Sequence, residues 1–325
     1  MRVVITGAAG FIGSRVSEFV VEHATRLGYD EVVLFDALTY SGREENLEVV
    51  RRDPRVTFVH GSINDADLSD AVLERAHAVI HLAAESHVDR SIEGARDFYE
   101  TNVVGTHQLL ESARRGGVER FVHVSTDEVY GSIEAGAWRE DHLLEPNSPY
   151  SSSKAGSDLA ALAYHRTYGL SVMVTRCSNN YGPRQYPEKI IPLFVTNLID
   201  GRPVPLYGDG RQVRDWLHVD DHCRAILLVL EGGRAGEIYN VGGGTELTNL
   251  ELTARLLTLL GAADSMVERV TDRLGHDRRY CVDWSKIRDE LGFRPSTDFD
   301  DGLARTVAWY RENESWWRPL REGHG

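Results

Sequence analysis

The chain opens with MRVVITGAAGFIGS (residues 1–14), and the reading of this stretch decides the fold. Val3, Val4 and Ile5 form a short apolar run of the kind buried on both faces of a parallel sheet. The run leads directly into Gly7, Gly10 and Gly13, a GxxGxxG spacing, and then into a helix expected over 14–27. Glycines at such a strand-to-helix turn permit a tight bend. They also let a diphosphate approach backbone N–H groups at the positive end of the helix. A second apolar run, Val32-Val33-Leu34-Phe35, ends at Asp36, twenty-three residues beyond Gly13. A carboxylate there accepts from an adenosine ribose 2′-hydroxyl and repels a 2′-phosphate. The pattern therefore points to NAD rather than NADP, with Arg43 nearby as the one contrary sign.

Further strands are expected over 56–59, 78–80, 121–124 and 171–175, separated by segments of helical length. Such alternation describes an α/β protein with a doubly wound parallel sheet. After residue 178 glycine and proline punctuate the chain more densely, and helices are expected over 189–200, 219–231, 248–260, 283–290 and 300–313. We expect a dinucleotide-binding domain over 1–178 that carries the catalytic residues. A smaller lobe over 179–325 would hold substrate, partly interleaved with the first because 237–241 reads as a strand that returns to the main sheet.

At 325 residues with a net charge of −14, the chain is a poor candidate for general nucleic-acid binding. It has no apolar stretch of about 20 residues and no signal-peptide core at its start, so a cytoplasmic protein with no membrane span is expected. Cys177, Cys223 and Cys281 are widely spaced, and His23, His77, His107 and His165 lack ligand spacing, so no metal site is expected.

The chemistry is concentrated in two stretches. Tyr150 and Lys154 form YxxxK, which on a helix places phenol and ammonium on one face. An ammonium beside a phenol lowers the phenol pKa and makes it a usable base. Ser125 and Thr126 end a strand at the carboxyl edge of the sheet, where Thr126 can orient a substrate hydroxyl. This set suits oxidation of a secondary alcohol. Asp127 and Glu128 follow at once, and a reductase has no need of them. A protonated acid can expel hydroxide, and a carboxylate can take a C–H proton made acidic by a neighbouring ketone. Oxidation followed by elimination is the expected sequence. Asp65, after the third strand, suits either the adenine amino group or a helix cap. Leu82, Ala83 and Ala84 are small enough to let backbone approach a cofactor.

With these motifs in place, the chain resembles the dTDP-glucose 4,6-dehydratases, extended short-chain dehydrogenase/reductases with a Rossmann-like sheet. The resemblance rests on GAAGFIGS (7–14), FDALTYSG (35–42), HLAAESHVDRSI (81–92), STDEVYG (125–131) and YSSSKAGSD (150–158). In the second half it rests on RCSNNYGPRQYPEKIIP (176–192), YGDGRQVRDWLHVDDH (207–222) and GHDRRY (275–280). It implies a lyase that oxidises C4 of the glucose, eliminates water across C5 and C6, and returns hydride to C6. Tyr150 with Lys154 would serve C4, Thr126 would bind its hydroxyl, Glu128 would take the C5 proton and Asp127 would protonate the leaving C6 hydroxyl. The NAD site would comprise Gly7, Gly10, Phe11, Ile12, Gly13, Asp36, Leu38, Thr39, Ile63, Asp65, Leu82, Ala83, Ala84, Thr101, Tyr150 and Lys154.

For the nucleotide sugar, the resemblance implies Ser86, Thr126, Asn180, Glu188, Lys189, Pro205, Tyr207, Arg214, Asn249, Arg273 and His276, with the two arginines on the diphosphate. It further implies a homodimer paired through the helices near 96–115 and 150–168. Other readings of the same scaffold are a C4 epimerase, a dehydratase of UDP- or GDP-sugars, and an enzyme releasing the 5,6-ene. An epimerase has no use for Asp127 and Glu128 as an elimination pair.

Overall fold

The structure is a computed structural model and describes residues 1–322. Strand β1 (Arg2–Thr6) feeds helix α1 (Phe11–Leu27), and β2 (Glu31–Asp36) lies beside β1. β3 (Val56–His60), α2 (Ala66–Leu73) and β4 (Ala76–His81) continue the alternation. Helices α3 (Val88–Glu93), α4 (Arg96–Tyr99) and α5 (Thr106–Gly116) follow, with a π-helical turn over Glu100–Gly105 between α4 and α5. β5 (Arg120–Thr126), α6 (Pro149–Tyr168) and β6 (Val172–Cys177) come next.

The second half runs through β7 (Asn179–Tyr181), α7 (Ile190–Ile199), β8 (Val204–Tyr207), β9 (Val213–His218) and α8 (Val219–Gly232). β10 (Ile238–Val241), β11 (Glu246–Thr248), α9 (Asn249–Leu260) and β12 (Val267–Val270) follow. Helices α10 (Ser285–Leu291), α11 (Phe299–Glu312) and α12 (Glu314–Glu322) end the described chain.

Seven strands form one parallel sheet in the order β10-β6-β5-β4-β1-β2-β3. The winding direction reverses between β1 and β4, and the carboxyl ends of strands at such a reversal open a crevice for ligand. Two smaller sheets, β11-β9-β7 and β12-β8, lie outside the main one. The halves of the chain share a core. Val16 and Val20 of α1 are buried with Ala225, Ile226 and Val229 of α8 on one face of the main sheet, so α8 serves the first half as much as the second.

Several elements differ from expectation. The helix expected over 96–115 is broken by the π turn, which turns Asn102 fully inward. The Asn102 amide accepts from Glu85 N at 2.8 Å and donates to Glu85 O at 3.0 Å and Ser153 Oγ at 2.8 Å. A buried amide with three partners of this kind fixes backbone register. Strands β7, β8, β9, β11 and β12 lack the apolar runs that mark strands. Asn180 and Arg214 sit in them because β7, β8 and β9 line a polar cavity, and Asp215 is buried as the acceptor of Ser178, Gly243 and Thr245. Trp317 is wholly buried, with Trp309 and Trp316 packed beside the same cluster. Among the described residues, no helix is long and apolar enough to cross a membrane, and no cluster of His, Cys, Asp or Glu could hold a metal.

Behind the active edge lies a buried ion pair. Arg176 Nε donates to Asp158 Oδ2 at 2.9 Å, with both side chains almost inaccessible, and Nη1 donates to the Tyr130 hydroxyl at 2.7 Å. Burial opposes the Asp158 charge, yet Arg176 and His123 hold the carboxyl down to about 2. Removing one partner strands the other charge, so Arg176→Met is expected to cost about 3–5 kcal/mol, read as a lower urea midpoint.

Candidate active site

The glycine turn is built by contact. A Cβ on Gly13 would lie 1.9 Å from Gly7 O, and one on Gly7, where φ is +67°, would lie 2.6 Å from Ala83 N. Strand β1, the start of α1 and the loop after β4 therefore meet at backbone distance. Thr6 fastens that loop from beneath, its hydroxyl accepting from Leu82 N and Ala83 N at 3.2 Å. His81 bridges the same hydroxyl to Thr106, at 2.7 and 2.9 Å. Gly10 caps α1 without a side-chain bond, leaving the helix's first N–H groups open to an anion.

At the end of β2, Asp36 accepts from Ala9 N at 2.8 Å and Leu38 N at 2.7 Å. The second bond holds Leu38 at a φ of +49°. Burial raises the Asp36 pKa, while the two N–H bonds oppose that shift. Arg43 is turned to Glu45, at 2.9 Å.

One cavity is lined by Gly7, Gly10, Phe11, Ile12, Gly13, Asp36, Thr39, Ile63, Leu82, Ala83, Ala84 and Thr101, continuing to Thr126, Asp127, Glu128, Tyr150 and Lys154. Leu38 and Asp65 are not among the lining residues. Asp65 caps α2, accepting from Leu68 N at 3.0 Å. The glycine cradle, the open helix end and a strand-end carboxylate clear of arginine all fit NAD.

The reactive groups stand at the far end of this cavity. Ser148 caps α6 through Ser151 N at 3.1 Å and Pro149 occupies its first turn, so Tyr150 and Lys154 begin the helix one turn apart. Lys154 Nζ donates to Val124 O at 2.8 Å, which ties the helix to β5. The Thr126 hydroxyl donates to Asp127 Oδ1 at 3.4 Å, accepts from Glu128 N at 3.3 Å and lines the same cavity as the Tyr150 phenol. The expected lowering of the phenol pKa by Lys154 is not found in the chain alone. Burial and the Glu128 carboxylate hold Tyr150 well above its ordinary value, and the ammonium is engaged by Val124.

Asp127 is 2% exposed, and its Oδ2 is buried without a hydrogen-bond partner. Burial, followed by Glu128 and Asp215, raises its pKa well above the carboxylate range. Glu128 is also raised by burial, but Arg273, Lys189 and Arg214 pull it back. Burial and neighbouring carboxylates thus favour the protonated form of Asp127, while three cations oppose the same shift at Glu128.

A second cavity adjoins the first through Glu128, Asn180, Glu188 and Lys189, and adds Pro205, Tyr207, Arg214, Asn249, Arg273 and His276. Ser86 lines the first cavity, its carbonyl accepting from Lys189 Nζ at 2.7 Å. Arg214 donates to Val213 O and Asp277 O and lies 4.3 Å over the Tyr280 ring, which fixes its guanidinium. Arg273 has a buried Nε with no partner, and its Nη1 is 3.7 Å from Asp89. Tyr207 meets His276 edge-on at 6.1 Å. Asn180 Oδ1 accepts from His222 Nδ1 at 2.9 Å and its amide nitrogen donates to Ser178 O at 2.9 Å, so the amide is held from behind.

Sequence reasoning missed Ser178, Asn179, Gln185 and Tyr186 in the first cavity, and Trp216 and Tyr280 in the second. Asn179 and Tyr280 lie inside RCSNNYG and GHDRRY and were findable there. Trp216 lies inside YGDGRQVRDWLHVDDH and was findable in the same way. Gly13→Ala is expected to force the turn open and give protein purified with less than about a tenth of its NAD, measured by cofactor release on denaturation.

A model of the GDP-mannose 4,6 dehydratase family matches residues 4–306. A dTDP-glucose 4,6-dehydratase of Streptomyces antibioticus is 59% identical over 325 residues, covering 99% of this chain and 96% of that protein. Another, from Actinoplanes sp., is 57% identical over 98% of this chain and all of its own length. The crystal structure of DesIV, a dTDP-glucose 4,6-dehydratase from Streptomyces venezuelae solved with NAD bound, matches with a TM-score of 0.97 and 62% identity, covering 98% of this chain and 100% of that one. The glycine cradle, the paired acids beside YxxxK and these likenesses together establish that the chain belongs to the dTDP-glucose 4,6-dehydratase family of extended short-chain dehydrogenase/reductases.

Proposed function

We infer that the protein converts dTDP-glucose to dTDP-4-keto-6-deoxyglucose and water with NAD as a recycled cofactor. The observation that carries this reading is the buried Asp127, its Oδ2 unpartnered, beside Glu128, which lines both cavities, and Tyr150, which lines the first with them. When bound, NAD takes up hydride from C4 and gives it back to C6, so it is unchanged over a turnover.

The chain's residues divide the proton work. Tyr150 as phenolate accepts the C4 hydroxyl proton, with Thr126 bonded to that hydroxyl; the lowering of the phenol pKa that the chain alone lacks would come from the positive charge of bound NAD. Lys154 is fixed to β5 and presents its remaining donors toward the cofactor ribose. The C4 ketone acidifies C5, and Glu128, whose upward shift by burial is opposed by Arg273, Lys189 and Arg214, removes that proton. Asp127 protonates the leaving C6 hydroxyl, a role that suits a carboxyl with one unpartnered oxygen. Glu128 then returns a proton to C5.

Arg214 and Arg273 suit the diphosphate, while Pro205, Tyr207, Asn249 and His276 flank the nucleoside. Residues 179–325 supply most of this seat, and 1–178 most of the cofactor seat. Exposed Tyr99, Val104, Leu159 and Tyr168 on the helical segments over 96–116 and 149–168 support a homodimer, and a cytoplasmic setting suits three unpaired cysteines.

Incubation with dTDP-, UDP- and GDP-glucose tests the reading. Mass spectrometry should find loss of one water from the dTDP sugar, with NMR showing a C6 methyl group. Epimerised dTDP-glucose without dehydration would overturn it.

Glu128→Gln should abolish C5 exchange in deuterated water while NAD remains bound. Asp127→Asn should slow water loss by about 100-fold or more and C4 oxidation far less, so reduced nicotinamide accumulates in single-turnover absorbance. Because Asp127 acts in its protonated form, wild-type water loss should fall as pH rises through its elevated pKa. The residual rate of Asp127→Asn should lack that alkaline fall.

A further inference from the structure

Glu188 lies between the two cavities, but its carboxylate is already held. Oε1 accepts from the Tyr40 hydroxyl at 2.8 Å, and Oε2 accepts from Arg90 Nε at 3.1 Å. The Arg90 guanidinium lies 3.7 Å over the Tyr40 ring, and Tyr186 meets that ring edge-on at 5.3 Å. The Glu188 side chain is only 13% exposed. Both carboxylate oxygens are thus hydrogen-bonded, as buried polar atoms ordinarily are.

The partners come from three separate places. Tyr40 belongs to the loop after β2, between Thr39 and Ser41, both of which line the first cavity on the side of Asp36. Arg90 belongs to α3. Glu188 precedes Lys189, which lines both cavities and is tied by its own ammonium to Ser86 O. The cluster thus spans from the adenosine end of the cofactor seat to the cationic side of the sugar-nucleotide seat. No reacting group lies within it.

We propose that Tyr40 and Arg90 are positioning residues that brace Glu188 and Lys189 against the loop after β2, so that NAD and the nucleoside diphosphate tighten each other's binding. The proposal rests on the functional reading above for the identity of the two ligands. A cofactor that seats the 36–42 loop steadies the Tyr40 hydroxyl, which steadies Glu188 and the neighbouring lysine. By linkage, a diphosphate seated at Lys189 must hold the cofactor loop to the same degree.

The experiment measures the rate of NAD loss from the purified holoenzyme, with and without dTDP, for wild type and Tyr40→Phe. Phenylalanine keeps the ring under Arg90 and against Tyr186, and removes only the hydroxyl. In wild type, dTDP should slow NAD loss by about tenfold, within the ordinary range of coupling between sites. In Tyr40→Phe the slowing should fall below about twofold, with KM raised more than kcat is lowered.

Equal slowing in the two proteins would overturn the proposal. So would a wild type in which dTDP, UDP and GDP all leave NAD loss unaltered. Slowing by UDP or GDP but not dTDP, lost in Tyr40→Phe, would retire the assigned nucleobase and leave the brace standing.

Discussion

Two absent β-carbons set the geometry on which the rest of this molecule depends. With nothing on Gly7 or Gly13, the end of β1, the first turn of α1 and the loop after β4 close to backbone contact. That contact defines the crevice at the reversal of the sheet and exposes the end of α1 to a diphosphate. Everything downstream is referenced to it. Thr6 and His81 lock the loop after β4, Asp36 closes over the turn from β2, and β5 delivers Thr126, Asp127 and Glu128 on the far side. No other residue fits at Gly13 without backbone movement, so this constraint is one of space and not of preference.

The strongly acidic chain solves an electrostatic problem locally. Two carboxyls, adjacent in sequence, sit in different electrostatic surroundings. Burial acts on both. The difference comes from the company each keeps: Asp127 sits near Glu128 and Asp215, and Glu128 sits near Arg273, Lys189 and Arg214. The same cations suit a diphosphate. One cluster of positive charge therefore fits both ligand recognition and the division of labour between the acids. Arg214 is itself held in place by two carbonyls and a tyrosine face, so its charge is placed without being neutralised.

The main sheet was legible because its strands are uninterrupted apolar runs and its turns carry glycine at functional spacing. The strand over 237–241 was legible for the same reason. The strands of the smaller sheets were not, since Asn180, Arg214 and Asp215 occupy positions where pattern reading expects alternation. Most of the candidate site could be named from motif and resemblance. What could not be read was how the parts touch. YxxxK suggested an ammonium acting on a phenol, whereas the fold hands Lys154 to the Val124 carbonyl and leaves Tyr150 under the influence of Glu128. Nothing in FDALTYSG indicated that its tyrosine reaches Glu188, a contact between residues 148 positions apart. Such contacts are made by tertiary closure and leave no periodic trace.

The π turn over Glu100–Gly105 has a bearing on how this chain can change length. It contains one more residue per turn than its flanking helices need, and that surplus lets Thr101 line the cofactor cavity and Asn102 clasp Glu85 and Ser153 while Val104 stays outside. Deleting any one residue there would restore plain α-helical register and swing everything on one side by about 100° relative to the other. An exposed loop that makes no such bonds can be trimmed or extended at modest cost. This helix counts its residues, and the tolerance of the fold to insertion and deletion is graded accordingly along the chain.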